Sequence, residues 1–263
     1  MKLGLNNVTN SEYHANRTFI SSSGYKKLLE DPALFYKENI LGQRDKEDEK
    51  EHLQFGSLLH TMLLEPHLVA TEYAVFSGLR RAGKDYEAFK AANPGRNIVT
   101  AAKMAEAKWL INGVRQSEAA QSLLKLGGVS EQTVAVDLNG VPTKCRADKI
   151  IVNEGIIWDL KSTSWDLDMD SVRQTIAHWD YALSSSLYCA VFEEFYKRKF
   201  EFMWVFINKT SAECAVYKMS EKTRQAGLQK VAKAQKLYKE CMASGKWETT
   251  EKKLIYSSEI LEI

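Results

Sequence analysis

The sequence predicts an α/β fold, a mixed central sheet flanked by helices with a helical N-terminal part, and three observations carry that prediction. Up to about residue 126 the apolar positions recur mainly with helical spacing. From about 127 the β-branched and aromatic runs are short and separated by turn residues. A long helical pattern over residues 181–196 then crosses over to a further pair of β-like runs, so a mixed sheet covered by helices is the expected product.

Each element has a local justification. Ser21-Ser22-Ser23 is expected to cap a first helix that runs through about Glu30, where Asp31-Pro32 breaks it; a further helix begins over 33–39. Residues 43–51 mix acidic and basic side chains and read as an exposed connection or a helix start. A helix over 56–64 follows, then a polar, mobile segment around 78–95. Residues 101–126 form one long helical pattern with Met104, Trp109, Leu110 and Val114 among its apolar positions, ended by Gly127-Gly128. Strands near 129–138, 143–152 and 156–162 make a meander, a β pair near 200–207 and 213–219 follows the crossover helix, and a C-terminal helix fills roughly 221–243. Without an internal repeat or low-complexity linker, residues 1–263 are expected to form a single domain, about 1–126 mainly helical and about 127–263 the sheet core.

Composition narrows the function classes. A chain of 263 residues that is 44% hydrophobic can build a large core. Its apolar runs are short and broken by charge, so neither a signal peptide nor a membrane span is expected, and a cytoplasmic enzyme is. Cys145, Cys189, Cys214 and Cys241 are scattered with no C-x-x-C pair, which indicates neither a zinc knuckle nor an iron-sulfur cluster. A formal net charge of +2 argues against a strongly basic coat, so any nucleic acid must be met by local patches. Arg80-Arg81 with Lys84, Lys197-Arg198-Lys199, and Lys230, Lys233 and Lys236 are the available ones, although most such runs are solvated faces.

The stretch Cys145 to Thr163 carries the chemistry. Asn153-Glu154-Gly155 separates two β-like runs, which reads as a hairpin. With a two-residue Glu154-Gly155 loop, Asp148 lies opposite Lys161 and Ile150 opposite Asp159, all on one face; a register one residue different moves Asp148 to the other face. Ala147, Ile151, Ile156, Trp158 and Leu160 then form a second face that wants a core, interrupted only by Lys149. Residues two apart on a strand project to the same side at roughly 7 Å, and unpaired charges there are costly, so a metal site is the economical explanation. Aspartate oxygens suit Mg²⁺ or Mn²⁺, and two carboxylates beside a lysine suit phosphodiester hydrolysis, with a lysine of lowered pKa able to join in proton transfer. On spacing alone, D-x-K is a short and common pattern that also fits a surface ion pair.

Beyond that pattern the chain resembles the PD-(D/E)xK nuclease superfamily. The residues that carry the likeness are Asp148, the run Ile156-Ile157-Trp158, and Asp159-Leu160-Lys161-Ser162-Thr163. The wider chain resembles the RecE-type (exonuclease VIII-like) phage and prophage exonucleases, related to the RecB nuclease domain and lambda exonuclease. It shares with them, in order, Glu12-Tyr13-His14, Ile20 to Ser23, Asp31-Pro32, Phe55 to His60, Glu65-Pro66 and Arg80-Arg81. The resemblance implies a restriction-endonuclease-like core. It makes Asp148, Asp159 and Lys161 catalytic, and makes His60, Asp148, Asp159, the Leu160 main-chain carbonyl and Glu131 the metal-binding set. Ser184 and Tyr188 fall where the RecB-like branch carries Q-x-x-x-Y on a helix. Serine is too short to replace the glutamine amide, so a water or Gln174 would have to substitute. Arg80 and Arg81 fall on a motif that suits phosphate contact.

By the same resemblance the expected function is a Mg²⁺-dependent exonuclease, with Mn²⁺ as a substitute, acting on double-stranded DNA from 5′ ends. It would be phage- or prophage-encoded in a bacterial host, ring-forming, and paired with a single-strand annealing protein. The competing expectations are a DNA- or protein-binding module with weakened cleavage, suggested by Ser184, and an endonuclease or single-strand nuclease. By periodicity alone His60 and Tyr188 read as core positions and Glu131 as an edge residue. His14, His52, His67 and His178 have no comparable support.

Overall fold

The computed structural model describes residues 1–43 and 51–248, with side chains from residue 54 in the second stretch. Its N-terminal part holds β1 (Gly4–Asn6), α1 (Asn10–Ala15), α2 (Ser22–Glu30), α3 (Pro32–Phe35) with a π turn after it, and α4 (Glu51–Leu64). Next come α5 (Val69–Glu72), β2 (Tyr73–Phe76), α6 (Lys84–Ala91), β3 (Asn97–Thr100), α7 (Ala101–Gln116) and α8 (Glu118–Lys125). The meander is β4 (Val129–Asp137), β5 (Pro142–Ile151) and β6 (Ile156–Thr163). The helices α9 (Met169–His178) and α10 (Tyr181–Tyr196) lead to β7 (Glu201–Asn208) and β8 (Cys214–Lys218), and α11 (Glu221–Ser244) follows.

The main sheet has the order β1-β4-β5-β6-β7-β8. Its neighbours are antiparallel except β6 and β7, which pair in parallel from Ile156 opposite Glu201 to Thr163 opposite Asn208. A parallel pair cannot be joined by a tight turn, and α9 with α10 supplies the crossover. The sheet is therefore mixed and helix-covered, as the sequence predicts. β7 shows why its sequence reads as an almost unbroken apolar run: Phe202, Trp204 and Phe206 enter the core beneath α2, α10 and α11, while Val205 and Ile207 enter the core beneath α4, α7 and α8. Among the described residues no helix is long and apolar enough to cross a membrane.

The N-terminal segment is sewn to β5. Ile20 N donates to Pro142 O at 2.8 Å, Lys144 N donates to Ile20 O at 2.9 Å, and the Tyr25 hydroxyl meets Thr143 Oγ1 at 2.7 Å. These bonds seat α2 beside the hairpin.

Several local expectations need correction. Ser21 stands at the N-cap of α2, but its hydroxyl meets Ser23 Oγ at 3.0 Å and does not cap the helix. The long helix over 101–126 is two helices, because Ser117 adopts an extended backbone and its side chain accepts from Ala120 N to start α8. Gly127 and Gly128 do end it, both at positive φ, and a Cβ at Gly128 would lie 2.3 Å from Ile150 O. The segment around 78–95 contains α6, which lays Tyr86 and Phe89 on Phe76. The short β1, α1 and the parallel pair β2–β3 give no signal long enough to read beforehand; α1 carries a Thr9/Glu12 capping box. Most of the expected connection over 43–51, residues 44–50, and the side chain of His52 lie outside the described residues.

The hairpin turn also differs. Lys149 pairs with Trp158, Ile150 with Ile157 and Ile151 with Ile156, leaving a four-residue loop, 152–155, in place of the two-residue Glu154-Gly155 loop. The shift is by two positions, and side chains alternate with period two, so the parity that puts Asp148 on the level and side of Asp159 survives.

Candidate metal centre

The site forms where the sheet stops being regular. Between β5 and β6 the ladder ends at Lys149 and Trp158. On the other edge of β5, pairing with β4 is intact at Ser130–Lys149 and at Gln132–Ala147 and is interrupted between them, at Glu131 and Asp148. Glu131 sits there in the left-handed region, φ 51°, which a non-glycine residue adopts only when its surroundings hold it.

β5 changes face at this level. Ala147 and Ile150 pack in the α10 core, whereas Ile151, Trp158 and Leu160 pack in the α4 and α7 core. Ala147 therefore does not belong to the second apolar face assigned from strict alternation, and the switch explains why. Lys149, the one charge on that face, donates to Ser130 Oγ at 3.2 Å, and Ser130 Oγ donates to Leu64 O at the end of α4.

The break exposes backbone groups that side chains then take up. Leu160 N donates to Asp148 Oδ2 at 2.8 Å, filling a place that a strand carbonyl would otherwise occupy. His60 reaches in from α4, its Nε2 lying 3.0 Å from Leu160 O and 3.5 Å from Asp148 Oδ2. Glu131 faces the same point, and ligand atoms of His60, Glu131 and Asp148 all lie within 4.8 Å of one another. Arg146 Nε lies 2.7 Å from Glu131 Oε2. On β6, Asp159 and Lys161 form a close ion pair, and the Lys161 ammonium lies 5.3 Å from the centre of the Tyr181 ring at the start of α10. Asp148 and Asp159 are 7% and 5% exposed, so their charges are well removed from water.

The electrostatics suit a cation ligand set. Burial, then the neighbouring Asp148 charge, pushes Glu131 up to about 7, with Arg146 pulling the other way. Burial and Asp148 likewise raise Asp159 against the opposing pull of Lys161. His60 is lowered by burial but raised more by Asp148 and Asp159, and ends above its ordinary value. Burial alone would lower Lys161; Asp159 and Asp148 outweigh it and hold the side chain firmly protonated, so the lowered pKa on which proton transfer by this lysine depends is not found. Glu131 and Asp159 thus hold their protons more tightly than free carboxylates do.

The remaining sequence-predicted residues are distributed as follows. Tyr188 lies on α10, packed on Phe202 with ring centres 6.1 Å apart, and its hydroxyl is pushed well up, first by burial and with smaller contributions from Asp159 and Asp148. Ser184 is half-buried one turn earlier on the same helix, whereas Gln174 is exposed on α9. Arg81 is held by Gln54 Oε1 at 2.9 Å and Ile98 O at 3.3 Å, and Arg80 beside it is exposed. Two residues have positions at the site that the sequence did not assign. Arg146 belongs to the R-x-D pattern that ends at Asp148 and carries the resemblance, but without a role of its own. Tyr181 had no signal, because its role follows from the crossover that lays α10 against β6.

A family model described as a PDDEXK-like domain of unknown function (DUF3799) matches residues 21–255. No curated protein matches the sequence closely enough to count as a relative. Among solved structures, a protein of Eubacterium rectale named "Putative exonuclease" is 17% identical, aligns over 98% of this chain and 96% of its own, and superposes with a TM-score of 0.64. At that identity the likeness is one of fold. A second structure, SSO0001, is 18% identical over 67% of this chain and 85% of its own, with a TM-score of 0.28, and carries no further argument.

Proposed function

The chain belongs to the PDDEXK-like family DUF3799, and on that premise we propose that it is a Mg²⁺-dependent deoxyribonuclease, with Mn²⁺ able to substitute. One observation carries the reading: the face switch at Glu131 and Asp148 gathers His60, Glu131 and Asp148 around one point, beside the Asp159–Lys161 pair. His60, Glu131, Asp148, Asp159 and the Leu160 carbonyl would hold the ion. A divalent ion supplies Lewis acidity there, polarising the phosphoryl group and easing deprotonation of water at neutral pH.

The protein's own groups do the rest. Asp159 fixes the Lys161 ammonium against the Tyr181 ring, so that its charge faces the phosphoryl oxygens as negative charge develops on them. Arg146 anchors Glu131 and keeps its carboxylate aimed inward. Arg80, exposed beside the anchored Arg81, is the candidate for contact with the DNA backbone, with Arg81 setting the loop's position.

The finer reading is an exonuclease on double-stranded DNA that works from 5′ ends, resembling the RecE type. It would be one domain over 1–263, phage- or prophage-encoded and cytoplasmic, forming a ring and serving a single-strand annealing protein. The competing reading, a binding module with weakened cleavage, is favoured by Ser184, whose short side chain leaves the contact of the Q-x-x-x-Y pattern unmade beside Tyr188. Incubating linear duplex DNA with Mg²⁺, with and without chelator, beside Asp159→Ala and Lys161→Ala variants decides between them. Chelator-sensitive degradation lost in both variants supports the nuclease; a gel shift without degradation supports the binding module. Comparing linear with circular substrates, and 5′-blocked with 3′-blocked ends, then fixes mode and polarity.

A further inference from the structure

A cleft opens beyond Tyr181, between α2, α11 and the junction of α9 with α10. It has a volume of about 430 Å³, within the range of sites for small ligands, and its lining includes Lys26, His178, Trp179, Asp180, Lys230 and Lys233. The Trp179 indole is 57% exposed and stands at right angles to the His178 ring, which in turn meets Trp165 at 5.5 Å. A large aromatic left this open has a free face.

The cleft is tied to the metal centre through one ring. Lys26 Nζ lies 5.5 Å from the centre of Tyr181, the ring that Lys161 approaches at 5.3 Å. Lys26 Nζ also donates to Trp179 O at 2.7 Å, so the lysine head and the indole share one local frame. Lys230 meets Asp180 Oδ1 at 2.8 Å, and Asp180 is itself held at φ 47°. The lining contains three lysines against Glu30 and Asp180, an excess of positive charge in a chain whose overall balance is near neutral.

Ammonium groups beside an exposed aromatic face make the combination that binds single-stranded nucleic acid, with phosphates on the cations and a base on the ring. We propose that this cleft is a nucleotide subsite for a single-stranded DNA segment, with a base stacked on Trp179 and its phosphates met by Lys26, Lys230 and Lys233. The proposal rests on the nuclease reading for its choice of DNA, and gives the strand leaving or entering the metal centre a place to lie. Burial lowers Lys26 to about 8 against the opposing pull of Asp180, so a further anion beside it would favour its charged form.

The test uses the full chain in chelator, where cleavage is silent, and a fluorescein-labelled oligothymidine of about twelve nucleotides followed by anisotropy. Trp179→Ala should weaken binding about tenfold while Trp179→Phe keeps most of it, because stacking needs only a ring. Lys230→Gln with Lys233→Gln should weaken binding and reduce the slope of log affinity against log salt by about 1.4, two phosphate contacts on a single strand. Unaltered thermal melting of the variants would exclude unfolding as the cause, as expected for side chains this exposed. Wild-type affinity in Trp179→Ala, no binding by the wild type, or an equal tenfold loss on blunt duplex DNA would overturn the subsite. Asp159→Ala separates the two proposals. If the wild type does not cleave with Mg²⁺, yet it and Asp159→Ala bind the oligonucleotide in a Trp179-dependent way, the nuclease reading fails and the subsite stands.

Discussion

The two ends of the β5–β6 hairpin lie on the same pair of strands and do opposite work. Towards the turn, Ile150 and Ile157, and Ile151 and Ile156, pair in a regular ladder and feed both cores of the sheet. Towards the metal centre the ladder stops after Lys149 and Trp158, and the Asp148 carboxylate takes the Leu160 N–H in its place. The difference shows how a sheet makes room for chemistry. A continuous ladder consumes every backbone group, whereas a break frees an N–H to orient a carboxylate and a carbonyl to serve as a ligand.

This contrast can be broken from either end. The largest expected effect is at the open end: Asp148→Ala or Asp159→Ala should lower the rate of Mg²⁺-dependent DNA cleavage about a thousandfold or more, read as initial rate on a linear duplex. Retention of a tenth of the wild-type rate in either would refute the assignment. At the paired end the loss should be of stability, not of chemistry. Ile150→Ala removes a fully buried side chain and should cost about 2–5 kcal/mol in urea unfolding, while the folded fraction keeps its affinity for metal.

A smaller effect is expected from Arg146→Ala, which leaves the ligands in place but frees Glu131. Metal affinity, measured by calorimetric titration, should fall about ten- to a hundredfold, as for residues that orient ligands. An unchanged affinity would mean that the strained backbone at Glu131 suffices to aim it.

The smallest effect is the pH dependence of the metal-depleted protein. Glu131 is raised from 4.5 to about 7 on folding, so the folded state binds this proton more tightly than the unfolded chain. The stability it contributes is complete below about pH 4.5 and is lost as pH rises through about 7. His60 is also raised, and its contribution is likewise lost with rising pH. Melting temperature without metal should therefore fall between pH 5 and pH 8, in the window about 4.5 to 7 set by Glu131. Mg²⁺ should restore more of it at pH 8 than at pH 5, and Glu131→Gln should flatten the profile. A metal-free protein that gains stability across that window would contradict the crowded-carboxylate picture.

Much of this was legible beforehand because it rests on local patterns. The period-two runs located β4 to β8 to within a residue or two, Gly127-Gly128 marked a helix end, and the crossover pattern over 181–196 became α10. Parity brought Asp148 to the side of Asp159 although the loop length was wrong, since a displacement of two leaves every side chain on its face. Elsewhere the local pattern misleads. Ala147 was placed on the wrong face because alternation was carried through a point where the backbone leaves the regular strand conformation. Ser21 was given a capping bond that its neighbour Ser23 takes instead. Proton transfer by Lys161 was conditional on a lowered pKa, and its Asp159 partner raises it instead.

The sequence by itself determined the class of sheet, the helices that cover it and the D-x-K pair, because hydrophobic periodicity and turn chemistry act within a few residues. Only the tertiary structure decided that Glu131 turns inward and is anchored by Arg146, that His60 meets Leu160 O from α4, 100 residues away in the chain, and that Tyr181 lies between Lys161 and Lys26. Those placements depend on where packed elements meet and on how buried charges balance one another. Both are sums over the whole fold that no short stretch of sequence contains.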